Sequence, residues 1–197
     1  CSLVALGVII AKAWTLYVAH RDSQGLLDEI EALGTTGQLD KAIERAHETR
    51  GPVAAILLTG LRRLKENERG PDISKAISTT GTLELDFLER GLTVLATIAN
   101  VAPMLGFLGT VIGMIAAFDA IEAAGQVEPA LVASGIKIAL ITTAAGLTIA
   151  IPVNIAYNFF VTRIDMLIAD MDKGTQAVLD MIWRAQDEKA GANARRW

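Results

Sequence analysis

The chain has 197 residues, 18 basic and 22 acidic side chains, a formal net charge of −4 and a hydrophobic content of 52%. A negative net charge with only 5% aromatic residues argues against a nucleic-acid binder, which needs basic patches and stacking rings. The apolar residues come in long uncharged blocks without strand-like alternation. We therefore expect an all-α membrane protein with large water-exposed parts.

Residues 1–19 predict a first transmembrane helix, with Trp14 and Tyr17 as an interfacial belt before a charged edge. Lys12 interrupts the segment. Its ammonium either snorkels to the interface, which we favour because the belt brackets it, or is a functional intramembrane lysine. Cys1 is the only cysteine, so no intrachain disulfide is predicted. A mature lipoprotein also begins with cysteine, but we favour a chain that starts inside a longer first helix, without a cleavable signal peptide.

Residues 20–90 predict a water-soluble helical region of short amphipathic helices that pack as a small bundle. This expectation is based on two apolar stripes at helical spacing. They comprise Leu26, Leu27, Ile30 and Leu33 in one helix and Leu39, Ala42, Ile43 and Ala46 in the next. From Ile73 onward the chain looks helical and is expected to run without a strong breaker into the second span.

Residues 91–118 and 131–162 predict the second and third spans, joined by a short loop over 119–130. Residues 163–197 predict an amphipathic tail that continues the third helix into water. The loop has acidic but no basic residues, whereas the basic residues of 20–90 and Arg163 flank the other side of the spans. By the positive-inside rule the 20–90 region and the C-terminus are cytoplasmic, and the N-terminus is outside. Lys137 is the exception, with Glu122 and Glu128 as candidate counter-charges.

The two long spans carry small and hydroxyl residues at helical spacing. The hydroxyls of Thr110 in one span and of Thr142 and Thr143 in the other fall in the outer half of the membrane at similar depth. One face of the second span has Pro103, Gly106, Thr110 and Gly113, with Gly109 nearby. The third span has Thr142, Thr143, Gly146, Pro152 and Asn154, and Thr143 shares a face with Asn154. This pattern fits a pore lining, but small-xxx-small spacing and threonines bonded to their own helix also fit plain packing, so both interpretations stay open.

Neither long span contains an Asp, Glu, His, Lys or Arg between residues 91 and 118 or between 138 and 162. A proton relay normally uses such a group, so a titrating carboxylate would have to come from a partner. No nucleophile–base pair or metal cluster is evident at depth, and we expect no enzyme activity, no metal and no cofactor.

Residues 102–114 read Ala-Pro-Met-Leu-Gly-Phe-Leu-Gly-Thr-Val-Ile-Gly-Met, and residues 135–158 run from Gly-Ile-Lys-Ile-Ala-Leu-Ile-Thr-Thr to Tyr-Asn. The two stretches resemble the second- and third-span signatures of the MotA/TolQ/ExbB proton-channel family. Three spans are similar to the ExbB/TolQ branch. Enteric relatives have a glutamate where this chain has Ile138, so no role of that glutamate carries over.

The resemblance implies a stator subunit of an energy-transducing motor in the bacterial inner membrane. It implies a pentamer around an ExbD/TolR-like dimer whose single span carries an aspartate, with a TonB- or TolA-like protein and phospholipid as further partners. Thr110 and Thr143 match the family threonines that face that aspartate, and Pro103 and Pro152 match the family prolines. Proton flow would then drive TonB-dependent import or Tol-Pal function. A non-conducting membrane scaffold is the alternative.

Overall fold

The computed structural model describes residues 2–23 and 25–194, with side chains throughout except at residues 20–23, 131 and 185–194. Cys1, on which the lipoprotein alternative depends, lies outside the described residues. This part of the chain forms seven helices and no strand. They are α1 Ser2–Ser23, α2 Leu26–Thr35, α3 Leu39–Glu48, α4 Pro52–Lys65, α5 Gly70–Glu89, α6 Leu92–Ala124 and α7 Pro129–Ala194. The all-α expectation is confirmed.

Three helices of the described part are long and apolar enough to cross a membrane, namely Ser2–Ala19 and stretches within Gly70–Ala124 and Val132–Arg184. The described residues divide into two compact units. Residues 2–12 and 91–161 form one, which we call the membrane unit, and residues 13–23, 25–90 and 162–194 form the other, which we call the bundle unit.

The bundle unit contains α2 to α5 and the C-terminal part of α7 around a core of large aliphatic side chains. Helices α2 and α3, α3 and α4, and α4 and α5 pack in sequence order. Leu26 and Ile30 of α2 and Ala42 and Ala46 of α3 are buried in that core. Both predicted apolar stripes are therefore confirmed. Helix α7 also contributes buried side chains to this core, namely Met171, Val178 and Ile182.

Two boundaries differ from the sequence prediction. The chain does not run unbroken from α5 into α6, because Arg90 is extended (φ −54°, ψ 129°) and Gly91 adopts a left-handed φ of 86°, a conformation that glycine tolerates best. Residues 119–124, which we placed in the loop, belong to α6, since nothing before Gly125 breaks a helix. Gly125 ends α6 with a left-handed φ of 68°, and its N–H donates to the carbonyl of Ile121 at 3.1 Å.

The remaining non-helical segment between the two long helices is short, from residue 125 to 128. Helix α7 is continuous from Pro129 to Ala194, so the predicted continuation of the third span into the tail is confirmed as far as Ala194. Residues 195–197 lie outside the described part of the chain.

Candidate functional site

Within the membrane unit, one row of small residues on α6 packs against another on α7. The buried positions of α6 that face α7 carry glycine or alanine, at Ala102, Gly106, Gly113 and Ala117. Those of α7 do the same, at Gly135, Ala139, Gly146 and Ala150. Large apolar side chains next to this contact point away from it, and Phe107 and Leu140 are 68% and 65% exposed.

The backbones of the two helices meet most closely where Gly106 lies against Gly146. A Cβ atom added at Gly146 would lie 2.6 Å from the carbonyl oxygen of Ala102 and 3.0 Å from the Cα of Gly106. A Cβ added at Gly106 would lie 3.1 Å from the carbonyl oxygen of Thr142. Because the obstructing atoms are backbone, neither position accepts a side chain without separating the helices.

The contact continues toward the turn between the helices. A Cβ added at Gly113 would lie 3.1 Å from the carbonyl oxygen of Gly135, and one added at Gly135 would collide with Ala117. Gly109 faces the side chain of Thr142, whose hydroxyl would lie 2.5 Å from an added Cβ. Gly106, Gly109, Gly113 and Gly146, all predicted as packing residues, thus share one helix–helix contact.

Thr143 makes a side-chain hydrogen bond that joins α7 to α6. Its hydroxyl donates to the carbonyl of Gly106 over 3.3 Å, and the residue is half-buried. A glycine carbonyl can be reached there because no side chain covers it. This bond links a predicted pathway residue directly to the glycine contact.

The other two predicted threonines donate within their own helices. Thr142 donates to the carbonyl of Ala139 at 2.8 Å, and Thr110 donates to the carbonyl of Phe107 at 2.6 Å. A hydroxyl has one donor and two acceptor lone pairs, so each of these threonines keeps its acceptor capacity.

Asn154 and the two prolines lie farther from the glycine contact. Asn154 is exposed, and the side-chain amide of Asn158 donates to its backbone carbonyl at 2.9 Å and to its Oδ1 at 3.3 Å. Pro103 is half-buried inside α6, and Pro152 is exposed inside α7. The sequence analysis did not single out Asn158, although its i+4 spacing from Asn154 could have indicated the pair.

The sequence analysis also missed the part played by Gly135 and Ala139. Their four-residue spacing is the same small-xxx-small pattern that we recognised on α6, so the signal was available. Among the described residues, no group of three or more His, Cys, Asp or Glu is placed to hold a metal ion.

Lys12 is buried in the membrane unit, with 8% of its surface exposed. A Cβ at Gly91 would lie 3.6 Å from its Cε, so the lysine stem packs beside a residue with no side chain. Gly91 begins the second span beside Arg90, so the side chain of Lys12 extends to the predicted edge of the membrane. Both interpretations of Lys12, a snorkelling ammonium and a functional intramembrane lysine, stay predictions.

These features define a multi-pass α-helical membrane protein whose second and third spans pack through glycines and carry hydroxyl groups but no Asp or Glu. Comparison with known proteins identifies the group. Residues 48–173, well over half of the chain, match the MotA/TolQ/ExbB proton channel family. The chain belongs to this family, in its ExbB/TolQ branch.

Three relatives illustrate the similarity. The Tol-Pal system protein TolQ of Pseudomonas aeruginosa is 42% identical over 163 residues, 76% of this chain and 71% of that protein. The biopolymer transport protein ExbB of Neisseria meningitidis serogroup B is 29% identical over 184 residues, 87% of this chain and 82% of that protein. An ExbB homolog of Methanothermobacter thermautotrophicus is 36% identical over 135 residues, 68% of this chain but only 47% of that protein.

Family membership and the three long apolar helices place the chain in the inner membrane as a multi-pass protein. Its role is that of a proton-channel family member in energy transduction, and this is not a known family of enzymes.

Proposed function

We propose that this chain is the proton-channel subunit of an inner-membrane motor, a pentamer that surrounds a dimer of an ExbD/TolR-like single-span protein. In this proposal the N-terminus is outside and residues 20–90 and the C-terminal tail are cytoplasmic. The support for this orientation is the distribution of charge, since the turn between α6 and α7 has no Lys or Arg while Arg62, Arg63, Lys65, Arg90 and Arg163 lie on the other side.

The observation that carries the proposal is the contact between α6 and α7, where Thr142 and Thr143 lie against Gly109 and Gly106. Neither span supplies an acid there. An unpaired carboxylate in hydrocarbon costs several kcal/mol, so an ion pathway needs polar groups at depth. Thr110, Thr142 and Thr143 would supply them to an aspartate on the partner helix. Asn154 would extend the polar row toward the cytoplasmic end, and Pro103 and Pro152 would shape the helices beside it.

The hydrogen-bond directions indicate which form of that aspartate the chain prefers. Thr143 already donates its hydroxyl proton to the Gly106 carbonyl. It can therefore accept a bond from a protonated carboxyl at once, but must break its own bond to donate to a carboxylate. The neutral acid is favoured at this depth, and charging it requires rearrangement. Such a rearrangement would couple proton release to movement of the partner.

The energy available is sufficient for such coupling. One elementary charge that crosses ~100 mV releases ~2.3 kcal/mol, more than a single hydrogen bond is worth. The driven process is proposed from the relatives, whose names refer to biopolymer transport and to the Tol-Pal system. We propose TonB-dependent import or Tol-Pal function, with a TonB- or TolA-like protein downstream and phospholipid against the exposed apolar side chains.

Removal of the Thr143 hydroxyl tests the proposal. We expect Thr143→Val, reconstituted with an Asp-bearing single-span partner, to form rings and to lose most partner-dependent proton flux into proteoliposomes. Thr143→Ser, which keeps the hydroxyl, is expected to retain flux. Thr148→Val is the matched control, since Thr148 is exposed and donates to its own helix at the carbonyl of Ala144 over 2.7 Å. Normal flux in assembled Thr143→Val would contradict the proposal.

A non-conducting scaffold is the second candidate. One observation favours it, namely that the hydroxyls of Thr110, Thr142 and Thr143 each already donate to a backbone carbonyl, as packing threonines do. The scaffold predicts assembled complexes without gradient-dependent flux or partner movement, in the wild type as well as in the variants. A monomer in native-like lipid would contradict both candidates.

A further inference from the structure

Lys137 is the only basic residue between Arg90 and Arg163, and it lies at the outer end of the spans. Its side chain is exposed. The ion pairs within the described part of the chain do not include it, nor do they include Glu122 or Glu128, its predicted counter-charges. An anionic neighbour stabilises a cation at the end of a membrane helix, and a second copy of the chain can supply one.

Lys137 and Asp119 lie on opposite sides of the α6–α7 pair. Gly135 and Ala139 face α6, and Lys137 is two residues, about 200°, from each of them. Asp119 is two residues beyond Ala117, which faces α7, and it is exposed as well. Each side chain therefore points away from the contact between the helices, and the two cannot meet within one chain.

The two residues do lie at compatible depth. The close approaches of Gly135 to Ala117 and of Gly113 to Ala139 fix the alignment of the antiparallel helices. They place Asp119 roughly 6–9 Å farther out than Lys137, at 1.5 Å per residue. Side chains lean toward the N-terminus of their helix, so Lys137 leans outward and Asp119 leans inward, toward the same depth. Glu122 is almost one turn farther out.

We propose that Lys137 of one copy forms an ion pair with Asp119 of the neighbouring copy, at the outer rim of the assembly. Copies in one membrane are related by rotation about its normal, so equal residues stay at equal depth. A ring needs a head-to-tail interface, in which the outer face of α7 of one copy meets the outer face of α6 of the next. Charges of opposite sign on those two faces satisfy this requirement. The inference rests on the proposed ring.

Zero-length cross-linking tests the pair directly. Wild-type chains with ordinary and heavy nitrogen would be mixed in detergent, reconstituted with the partner, and treated with a carbodiimide that joins a lysine amine to a carboxylate as an amide. We expect a Lys137–Asp119 cross-link that joins light to heavy peptides. The cross-link should be lost in Asp119→Asn and kept in Glu122→Gln.

Charge exchange gives an independent readout. Lys137→Glu places two acids together across the interface, and we expect rings that dissociate at a lower temperature in native mass spectrometry. The double variant Lys137→Glu with Asp119→Lys is expected to restore the wild-type dissociation temperature, which a merely damaged fold would not do.

The outcomes separate this inference from the proposed function. Rings that form without the mixed cross-link, or a double variant no better than Lys137→Glu, overturn the ion pair and leave the proton-channel proposal intact. Chains that stay monomeric overturn both.

Discussion

The membrane unit and the bundle unit both consist of α-helices, but they differ in the size of the side chains that their helices bury against each other. The bundle unit hides its large side chains, and Ile30, Leu57 and Leu61 have no exposed surface. The membrane unit also buries a few large side chains, such as Leu95. At its glycine contact, however, it hides only glycines and alanines, and it turns Met104 and Ile155 outward, at 68% and 66% exposed. The difference follows from the solvent that each unit meets.

In water, burial of a leucine removes apolar surface from the solvent and stabilises the fold by roughly 1.5–3 kcal/mol. In lipid the surroundings are as apolar as leucine itself, so burial gains little and close backbone contact gains more. The glycine contact at Gly106 and Gly146 is the result. The absence of a side chain at Gly106 also leaves its carbonyl open to the hydroxyl of Thr143. The same glycine therefore allows both the close helix contact and the hydrogen bond between the helices.

The ion pairs follow the same division. Those between described residues lie in the bundle unit, for example Arg45 with Glu29 at 2.8 Å and Lys65 with Asp40 at 2.6 Å. The carboxylate of Glu29 accepts a hydrogen bond from Arg45 and raises the pKa of that guanidinium. Exposed pairs of this kind contribute little to stability, so the aliphatic core carries the bundle unit.

Truncation of a buried leucine in the bundle unit is the largest expected effect. Leu57→Ala should lower the free energy of unfolding around α4 by ~2–5 kcal/mol, because it removes buried side-chain carbons from the core and leaves a cavity. Amide hydrogen exchange of α4 peptides in the detergent-solubilised chain measures this. Leu140→Ala is the control, since Leu140 of the membrane unit is 65% exposed. Equal effects of the two variants would remove the contrast between the units.

Addition of a single methyl group is the next largest effect, and it acts in the membrane unit. Gly146→Ala should destabilise the α6–α7 contact by ~1–3 kcal/mol, because the new Cβ meets backbone atoms that cannot move aside. Amide exchange of α6 peptides in nanodiscs measures the loss. Gly7→Ala is the matched control, as nothing lies within 4 Å of a Cβ there. If Gly146→Ala exchanged as slowly as the wild type, close backbone approach would not be what holds the helices.

Hydrophobic periodicity was enough to predict the bundle stripes, because burial of apolar residues decides them, and uncharged length was enough to predict the three apolar segments. Neither could predict the interruption at Gly91. A glycine in an uncharged run is compatible with a helix and with a left-handed break, and only the packed surroundings choose between them. The burial of Lys12 could not be predicted for the same reason. It depends on the space beside Gly91, which exists only in the folded chain.

The small residues at the helix contact were predicted on α6 but only in part on α7. Gly135 and Ala139 were missed because they precede Thr142 and Thr143, on which the prediction for α7 was based. The bond from Thr143 to Gly106 was beyond sequence reasoning. It depends on the axial alignment of two antiparallel helices, and a shift of one residue would point the hydroxyl elsewhere. The roles of Thr110, Thr142, Thr143 and Asn154 in a proton pathway stay predictions.

The smallest expected effect is at a glycine of the bundle unit, where the same Gly→Ala change should raise stability instead of lowering it. Gly81 lies inside α5, and a Cβ there would lie 3.6 Å from the Cε of Met171, an ordinary contact. Gly81→Ala should therefore stabilise α5 by ~0.5–1 kcal/mol, since alanine loses less backbone freedom in a helix. Slower amide exchange of α5 peptides would show the gain. The same methyl group would then strengthen one unit and weaken the other, which general helix propensity alone does not explain. Faster exchange in Gly81→Ala would mean that the bundle unit, too, requires its helix backbones to approach closely.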